Sequence, residues 1–261
     1  MKINIKYNDC IYEINSEDGE DISIPVEFNK DNNPKFYDRS NPEIKYYKSD
    51  NIEYSLSQGA GCNVPLITMN VHCSGTHTET ANHVIKDAPL ISDIKNLNFI
   101  PSQLISIKPE TNCEEEYHVD INKEDRVITK YQLEKKLDRL NEFLDAIIIR
   151  TIPNHENKKI FNYDDGSYPF FSNEAISYLR SKGVQHIVID TPSIDKYNDN
   201  GKLGNHKIFF TNNDGSINNN TVTELAFISD LCIDGKYFLC IGIPNFALDA
   251  APSKPIIYKV I

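Results

Sequence analysis

The sequence predicts a mixed α/β domain, and three observations carry that prediction. Leu133, Leu137, Leu140 and Leu144 recur at spacings of four, three and four, which is one face of a helix between Thr129 and Leu144. Ala146 to Arg150 follows at once as a short apolar, β-branched run of the kind a central strand carries. The helix-then-strand order returns between Ser172 and Asp190, and strand, helix, strand implies a right-handed crossover between parallel strands.

Taken in chain order, Asn29 to Pro42 is rich in Asn, Asp and Pro, which suits turns. A loop-rich stretch of about 29–60 is therefore expected to cover the body of a single domain spanning 1–261. Pro65 to Val71 alternates in part between apolar and polar residues, as a strand delivering its last residues to a site would. Ser172 can cap a second helix, Glu174 favours its first turn, Ala175, Ile176 and Leu179 give it an apolar side, and Gly183 can end it. Val184 to Asp190 reads as the next buried strand. The loop from Asp190 to Asp195 then falls at the carboxyl ends of the strands, where its Asp190, Thr191, Ser193 and Asp195 are expected to shape a turn beside a ligand site. Tyr237 to Ile243 and Pro255 to Ile261 look like strands, and Asn212 to Thr221 like a loop.

Composition excludes several classes of partner. A hydrophobic content of 39% and a charged content of 25% belong to an ordinary globular chain. The formal net charge of -11, with no Lys or Arg run to offset it, argues against nucleic acid. No segment approaches the roughly 18 consecutive apolar residues that cross a bilayer, and Met1 to Lys6 leads into polar residues unlike a signal peptide. Six cysteines without a Cys-x-x-Cys pair suggest a reducing, cytoplasmic setting. Glu114, Glu115 and Glu116 read as a solvated acidic face.

The chemistry concentrates in His72-Cys73-Ser74-Gly75-Thr76-His77-Thr78-Glu79-Thr80-Ala81-Asn82-His83. His77 and Glu79 stand two residues apart, so on an extended backbone both leave from one side and can grip one ion. Imidazole nitrogen with carboxylate oxygen suits Zn²⁺, Mn²⁺ or Fe²⁺ better than Ca²⁺ or Mg²⁺. Gly75 allows a tight turn beside the ion, and the Thr76 hydroxyl can support a ligating carboxylate or the backbone from behind.

Ser74-Gly75-Thr76-His77-Thr78-Glu79 with His83 resembles the His-x-Gly-Thr-His-x-Asp-x-Pro-x-His signature of the cyclase/kynurenine formamidase family of metal-dependent hydrolases. The resemblance extends over nearly the whole chain. It takes in Asp21 to Pro25, then Tyr168 to Ala175 with Gly183 and Ile189 to Asp195, then Thr223 to Leu225 and Leu248 to Pro255. It implies an α/β fold of the swivelling β/β/α type and a homo-oligomer, a dimer or tetramer. The activity it implies is hydrolysis of an amide, lactam or formamide C–N bond, or a related ester, in a small molecule. One or two divalent ions, Zn or Mn, would be held by His77 and Glu79 with His206 and Glu224, and His83 would match the general acid/base.

The chain departs from the signature at three places: Cys73 for its first histidine, Glu79 for its aspartate, which keeps a carboxylate able to coordinate, and Ala81 for its proline. Cys73 occupies the position of the first motif histidine while His72 lies one residue earlier, where a neighbouring subfamily carries a histidine. His72 is expected to be the ligand, with Cys73 as alternative ligand or as nucleophile of a metal-free hydrolase activated by His77 or His72. Ala81 replaces the motif proline, which removes no ligand. The chain has no Trp, a residue that formylkynurenine-cleaving members typically place near substrate. The alternative to an enzyme is a non-catalytic metal- or metabolite-binding protein on the same scaffold.

Overall fold

The β-branched run Ala146–Thr151 forms a strand in which every residue is buried, which requires a central position in a sheet covered on both faces. That sheet has nine strands. In chain order they are Glu20–Asp21 (β1), His77–Glu79 (β2), Ile100–Ile107 (β3), Ala146–Thr151 (β4), His186–Ile189 (β5), Thr221–Glu224 (β6), Gly235–Gly242 (β7), Ala250–Pro252 (β8) and Lys254–Lys259 (β9). They lie side by side as β8-β2-β6-β5-β4-β3-β7-β9-β1. The four strands β3, β4, β5 and β6 are mutually parallel, and all other pairs are antiparallel. The computed structural model describes residues 1–37, 40–137 and 143–261.

Each parallel step is made by a helix: Lys130–Leu137 (α1) before β4, Asn173–Ser181 (α2) before β5 and Gly204–Phe210 (α3) before β6. Alternation along β4 feeds two cores. Ile147 and Ile149 pack with Leu133, Leu137, Ile176, Leu179, Phe209 and Phe210 of the helices, while Ala146 and Ile148 join Leu104, Val188, Leu239 and Ile257 on the opposite face. The mixed α/β class read from the sequence is the observed one. Among the described residues no helix is long and apolar enough to cross a membrane.

Local chemistry explains the helix starts. The Thr129 hydroxyl accepts from the Gln132 amide at 3.2 Å and the Gln132 side chain accepts from the Thr129 amide at 3.3 Å, a reciprocal cap on α1. Ser172 caps α2 as expected, accepting from the Ala175 amide at 3.0 Å, and Gly183 takes the left-handed conformation beyond its end at φ 83°. Glu115 ties both starts together: its carboxylate accepts from the Lys130 and Tyr131 amides and from the Ser172 hydroxyl. The acidic run is therefore a solvated face only at Glu114 and Glu116, because four free amides at each helix start attract the carboxylate between them.

Two other expectations need amendment. The helix after Thr129 is seen to Leu137; Leu140 lies outside the described residues, and Leu144 is buried beyond the helix, just ahead of β4. Pro65–Thr68 is a strand, but it pairs with Glu43–Tyr46 in an outer ribbon with all four residues exposed, so β2 brings the motif to the sheet instead. A ribbon with no layer against it buries neither set of an alternating pattern.

His186, at the start of β5, is buried with Nδ1 2.9 Å from the Thr221 hydroxyl, and burial lowers its pKa from 6.5 to about 4. Between those values the unfolded chain takes the proton first. Stability is thus complete above pH 6.5 and falls as pH drops toward 4, by up to roughly 3 kcal/mol. His186→Gln is expected to flatten that acid-side slope in urea unfolding between pH 7 and 4; equal slopes in the two proteins would rule the assignment out.

Candidate active site

The site is assembled by strand register. In β2 and β6, His77 pairs with Glu224, Thr78 with Thr223, and Glu79 with Val222. Directly paired residues share a face, so His77, Glu79 and Glu224 emerge together on one side. Thr78 takes the other side, 2.7 Å from the Thr223 hydroxyl and 2.9 Å from that of Ser253. A single 3₁₀ turn, Ala81–His83, then returns His83 over Glu79. His206 comes from α3, and His72 from the turn before the motif.

The distances define one cluster. Glu79 Oε2 lies 3.2 Å from His72 Nδ1 and 3.8 Å from His83 Nε2, while Oε1 lies 2.6 Å from His206 Nε2. Glu224 reaches His77 Nε2 at 3.5 Å and His206 Nε2 at 3.4 Å. Donor atoms of His72, His77 and Glu79 gather within 4.8 Å of one another, as do those of Glu79, His206 and Glu224. Cys73 lines the same cavity but belongs to no such group among the described residues.

The outward hydrogen bonds say which nitrogen each ring turns inward. His77 Nδ1 donates to the Gly75 carbonyl at 3.0 Å, His206 Nδ1 to Asp195 Oδ2 at 2.6 Å and His72 Nε2 to Asp249 Oδ2 at 3.0 Å. In a neutral imidazole the other nitrogen is then a bare acceptor. Three such nitrogens face the carboxylates of Glu79 and Glu224, acceptor against acceptor. His72 Nδ1, His77 Nε2, His206 Nε2 and both Glu79 oxygens are buried with no hydrogen-bond partner among the described residues. Buried polar atoms are seldom left so, and a cation among them would satisfy all five. The donor set fits a divalent ion.

Without an ion the same demand for positive charge is met by protons on the rings. Burial opposes charge on Glu79, yet His83 and His206 hold its carboxyl well below the usual range. Burial likewise opposes charge on His206, where Glu79, Asp195 and Glu224 outweigh it and raise the pKa well above the usual value. At His72 the Asp249 and Glu79 carboxylates overcome burial and push the pKa up to about 10. The carboxylates draw positive charge to this spot.

The supporting residues are partly those expected. Thr76 does not touch a carboxylate; its hydroxyl accepts from the Ile24 amide at 2.7 Å and donates to the Leu225 carbonyl at 2.5 Å. That bond holds Leu225, the buried residue after Glu224, at φ 53°, a left-handed conformation costing roughly 1–2 kcal/mol. Asp195 does more than shape a turn. It accepts from His206 Nδ1, from the Asn205 and His206 amides and from the Tyr117 hydroxyl. Asp195 and Asp249 sit inside segments that carry the family resemblance, but no local spacing announces their histidine partners. His118, given no role from the sequence, lies 3.2 Å from Asp199 and 3.7 Å from Asp195.

At Gly75 a Cβ would stand 2.9 Å from Val26 Cγ2 and 3.3 Å from the Ile24 carbonyl, with φ at 158°. Gly75→Val is expected to destabilise the fold by roughly 1–3 kcal/mol, read by thermal unfolding, because the new side chain must displace the Val26 methyl and crowd the Ile24 backbone carbonyl. Unchanged stability would contradict this packing.

The cavity over the cluster measures about 250 Å³ and is walled by Phe36, Tyr37, Tyr168 and Leu203. Tyr37 stacks on Tyr197 with ring centroids 4.6 Å apart.

Comparison with known proteins agrees with this architecture. The kynurenine formamidase of Bacillus cytotoxicus is 26% identical over 176 residues, covering 65% of this chain and 73% of that protein. A predicted metal-dependent hydrolase from Bacillus stearothermophilus superimposes with a TM-score of 0.59 at 18% identity, over 92% of this chain and 97% of that one. Isatin hydrolase A from Labrenzia aggregata, bound to benzyl benzoate, gives a TM-score of 0.65 at 13% identity, over 93% and 94%. At those identities the two structures speak for the fold. The Cyclase family model matches residues 20–196 of the 261, and the chain belongs to that family.

Proposed function

We propose that the chain is a divalent-metal-dependent hydrolase that cleaves the C–N bond of an amide, lactam or formamide, or a related ester, in a small molecule. The observation that carries this reading is the set of five buried atoms on His72, His77, Glu79 and His206 that have no hydrogen-bond partner among the described residues. These residues and Glu224 are the ones that would hold the ion. Mixed nitrogen and oxygen donors favour Zn or Mn. Glu79 stands between the His72–His77 and His206–Glu224 sets, so it could bridge a second ion.

When bound, the metal supplies Lewis acidity and lowers the pKa of water from about 15.7 toward about 7. His83, a quarter exposed at the cavity floor, has its Nδ1 held by Asp249 at 3.3 Å and its Nε2 turned toward Glu79. From there Nε2 takes a proton as water oxygen bonds to the acyl carbon, and returns it to the departing nitrogen or oxygen. The products are a carboxylate and an amine, or an alcohol from an ester. Phe36, Tyr37 and Tyr168 would shield this exchange from bulk water and favour an apolar substrate body. A kynurenine formamidase and an isatin hydrolase among the relatives support substrates of the amide and lactam type.

The same proposal includes one domain over 1–261, a homo-oligomer and a reducing cytoplasmic setting. Leu66 and Ile67, 56% and 57% exposed, put an apolar side chain on each face of the outer ribbon, where another subunit would cover it. Exposed thiols at Cys10 and Cys62 suit a reducing compartment.

The test is metal analysis of protein purified without chelator, beside a panel of amides, lactams, formamides and esters assayed before and after chelation. Bound metal with chelator-sensitive turnover is expected. Turnover that survives chelation but not thiol alkylation would transfer the chemistry to Cys73, and tight metabolite binding without turnover would make the protein a binder.

A further inference from the structure

The chain has a cysteine where the signature has its first histidine, and His72 reaches the cluster from one residue away. Something must turn that ring correctly. Asp249 Oδ2 accepts from His72 Nε2 at 3.0 Å and also from His83 Nδ1 at 3.3 Å, so one oxygen takes an N–H from each of two rings whose centroids lie 4.3 Å apart at a tilt of 31°. Its backbone is fixed as well: the Asp249 carbonyl accepts from the Thr80 amide at 2.9 Å, and the next residue, Ala250, pairs with Glu79 across β8 and β2.

The consequence is tautomeric. With Nε2–H spent on Asp249, His72 has its lone pair on Nδ1, which faces Glu79 at 3.2 Å, whereas His77 and His206 both offer Nε2. With Nδ1–H spent on the same oxygen, His83 has its lone pair on Nε2, the atom nearest Glu79. We propose that Asp249 is the positioning residue that makes His72 a metal ligand in place of the motif histidine and couples that ligand to His83. This rests on the metal-dependent reading above. Asp249 Oδ2 already takes an N–H from each ring, so in this proposal it acts on the ion through them. A carboxylate that orients a ligating imidazole in this way is worth about 10-fold to 100-fold in metal affinity.

The experiment titrates Zn²⁺ or Mn²⁺ into chelator-stripped protein against a chromophoric chelator, in a double-mutant cycle of Asp249→Ala and His72→Ala. Asp249→Ala is expected to weaken binding about 10-fold to 100-fold in the parent chain and to change little once His72 is gone, because its effect passes through that ring. Equal losses in both backgrounds, or none in either, would overturn the proposal. Asp249→Asn keeps a carbonyl acceptor and is expected to recover part of the loss; it also carries the test if the alanine variant does not fold, where affinity equal to the parent in both backgrounds would be the contrary result. If the parent chain binds neither ion, the metal-dependent reading itself fails, whereas a parent that binds with Asp249 irrelevant sinks this inference alone.

Discussion

Glu79→Gln is expected to empty the site while leaving the fold intact. Both Glu79 oxygens are buried and face donors on either side, so the amide removes the charge from the centre of both donor sets at once. The loss in metal affinity should exceed the about 10-fold to 100-fold that an outer partner of a ligand is worth, and turnover should fall to background with it. Stability of the stripped protein should fall, with the fold still formed. In the ion-free protein the Glu79 carboxylate is held charged by the imidazoles around it, and a neutral amide keeps the shape but leaves His72 and His206 without that partner. Metal per chain and thermal unfolding of the stripped proteins check the two halves separately, and a variant that keeps its ion at the parent's affinity would contradict the arrangement.

His83→Ala should separate chemistry from binding. His83 Nε2 stands 3.8 Å from the nearest Glu79 oxygen, and among the described residues its only donor group is with His72 and Asp249, so the ion is expected to stay. Without a group to carry the proton, kcat should drop roughly 10²-fold to 10⁴-fold with KM little changed. The side chain is 24% exposed, so truncation leaves no sealed cavity to confuse the result. Loss of the metal together with activity would make His83 a ligand and would leave the proton to another group.

Much of this was legible before any coordinates. His77 and Glu79 on an extended segment must share a side, and β2 is such a segment. The runs before β4, α2 and β5 announce themselves by periodicity, caps and β-branching, which are local properties. What could not be read is long-range. Asp249 meets His72 across 177 residues and Asp195 meets His206 across a turn and a helix start, and neither distance leaves a trace in spacing. The choice between His72 and Cys73 depended on ring orientation, which a partner far along the chain supplies. Glu115 looked like one of three equivalent acids because its partners, two helix starts, are backbone groups that no residue type advertises.

The three-residue strand at the centre of the site has a further implication for how such a chain can vary. Because its side chains alternate, displacing β2 by a single position against β6 and β8 would present the Thr78 hydroxyl where an imidazole and a carboxylate now stand. Length changes between Thr76 and Thr80 should therefore be less tolerated than almost any exchange of residue type there. The polar stretch from Thr211 to Asn220 is under no such constraint, since β6 re-enters the sheet after it whatever its length.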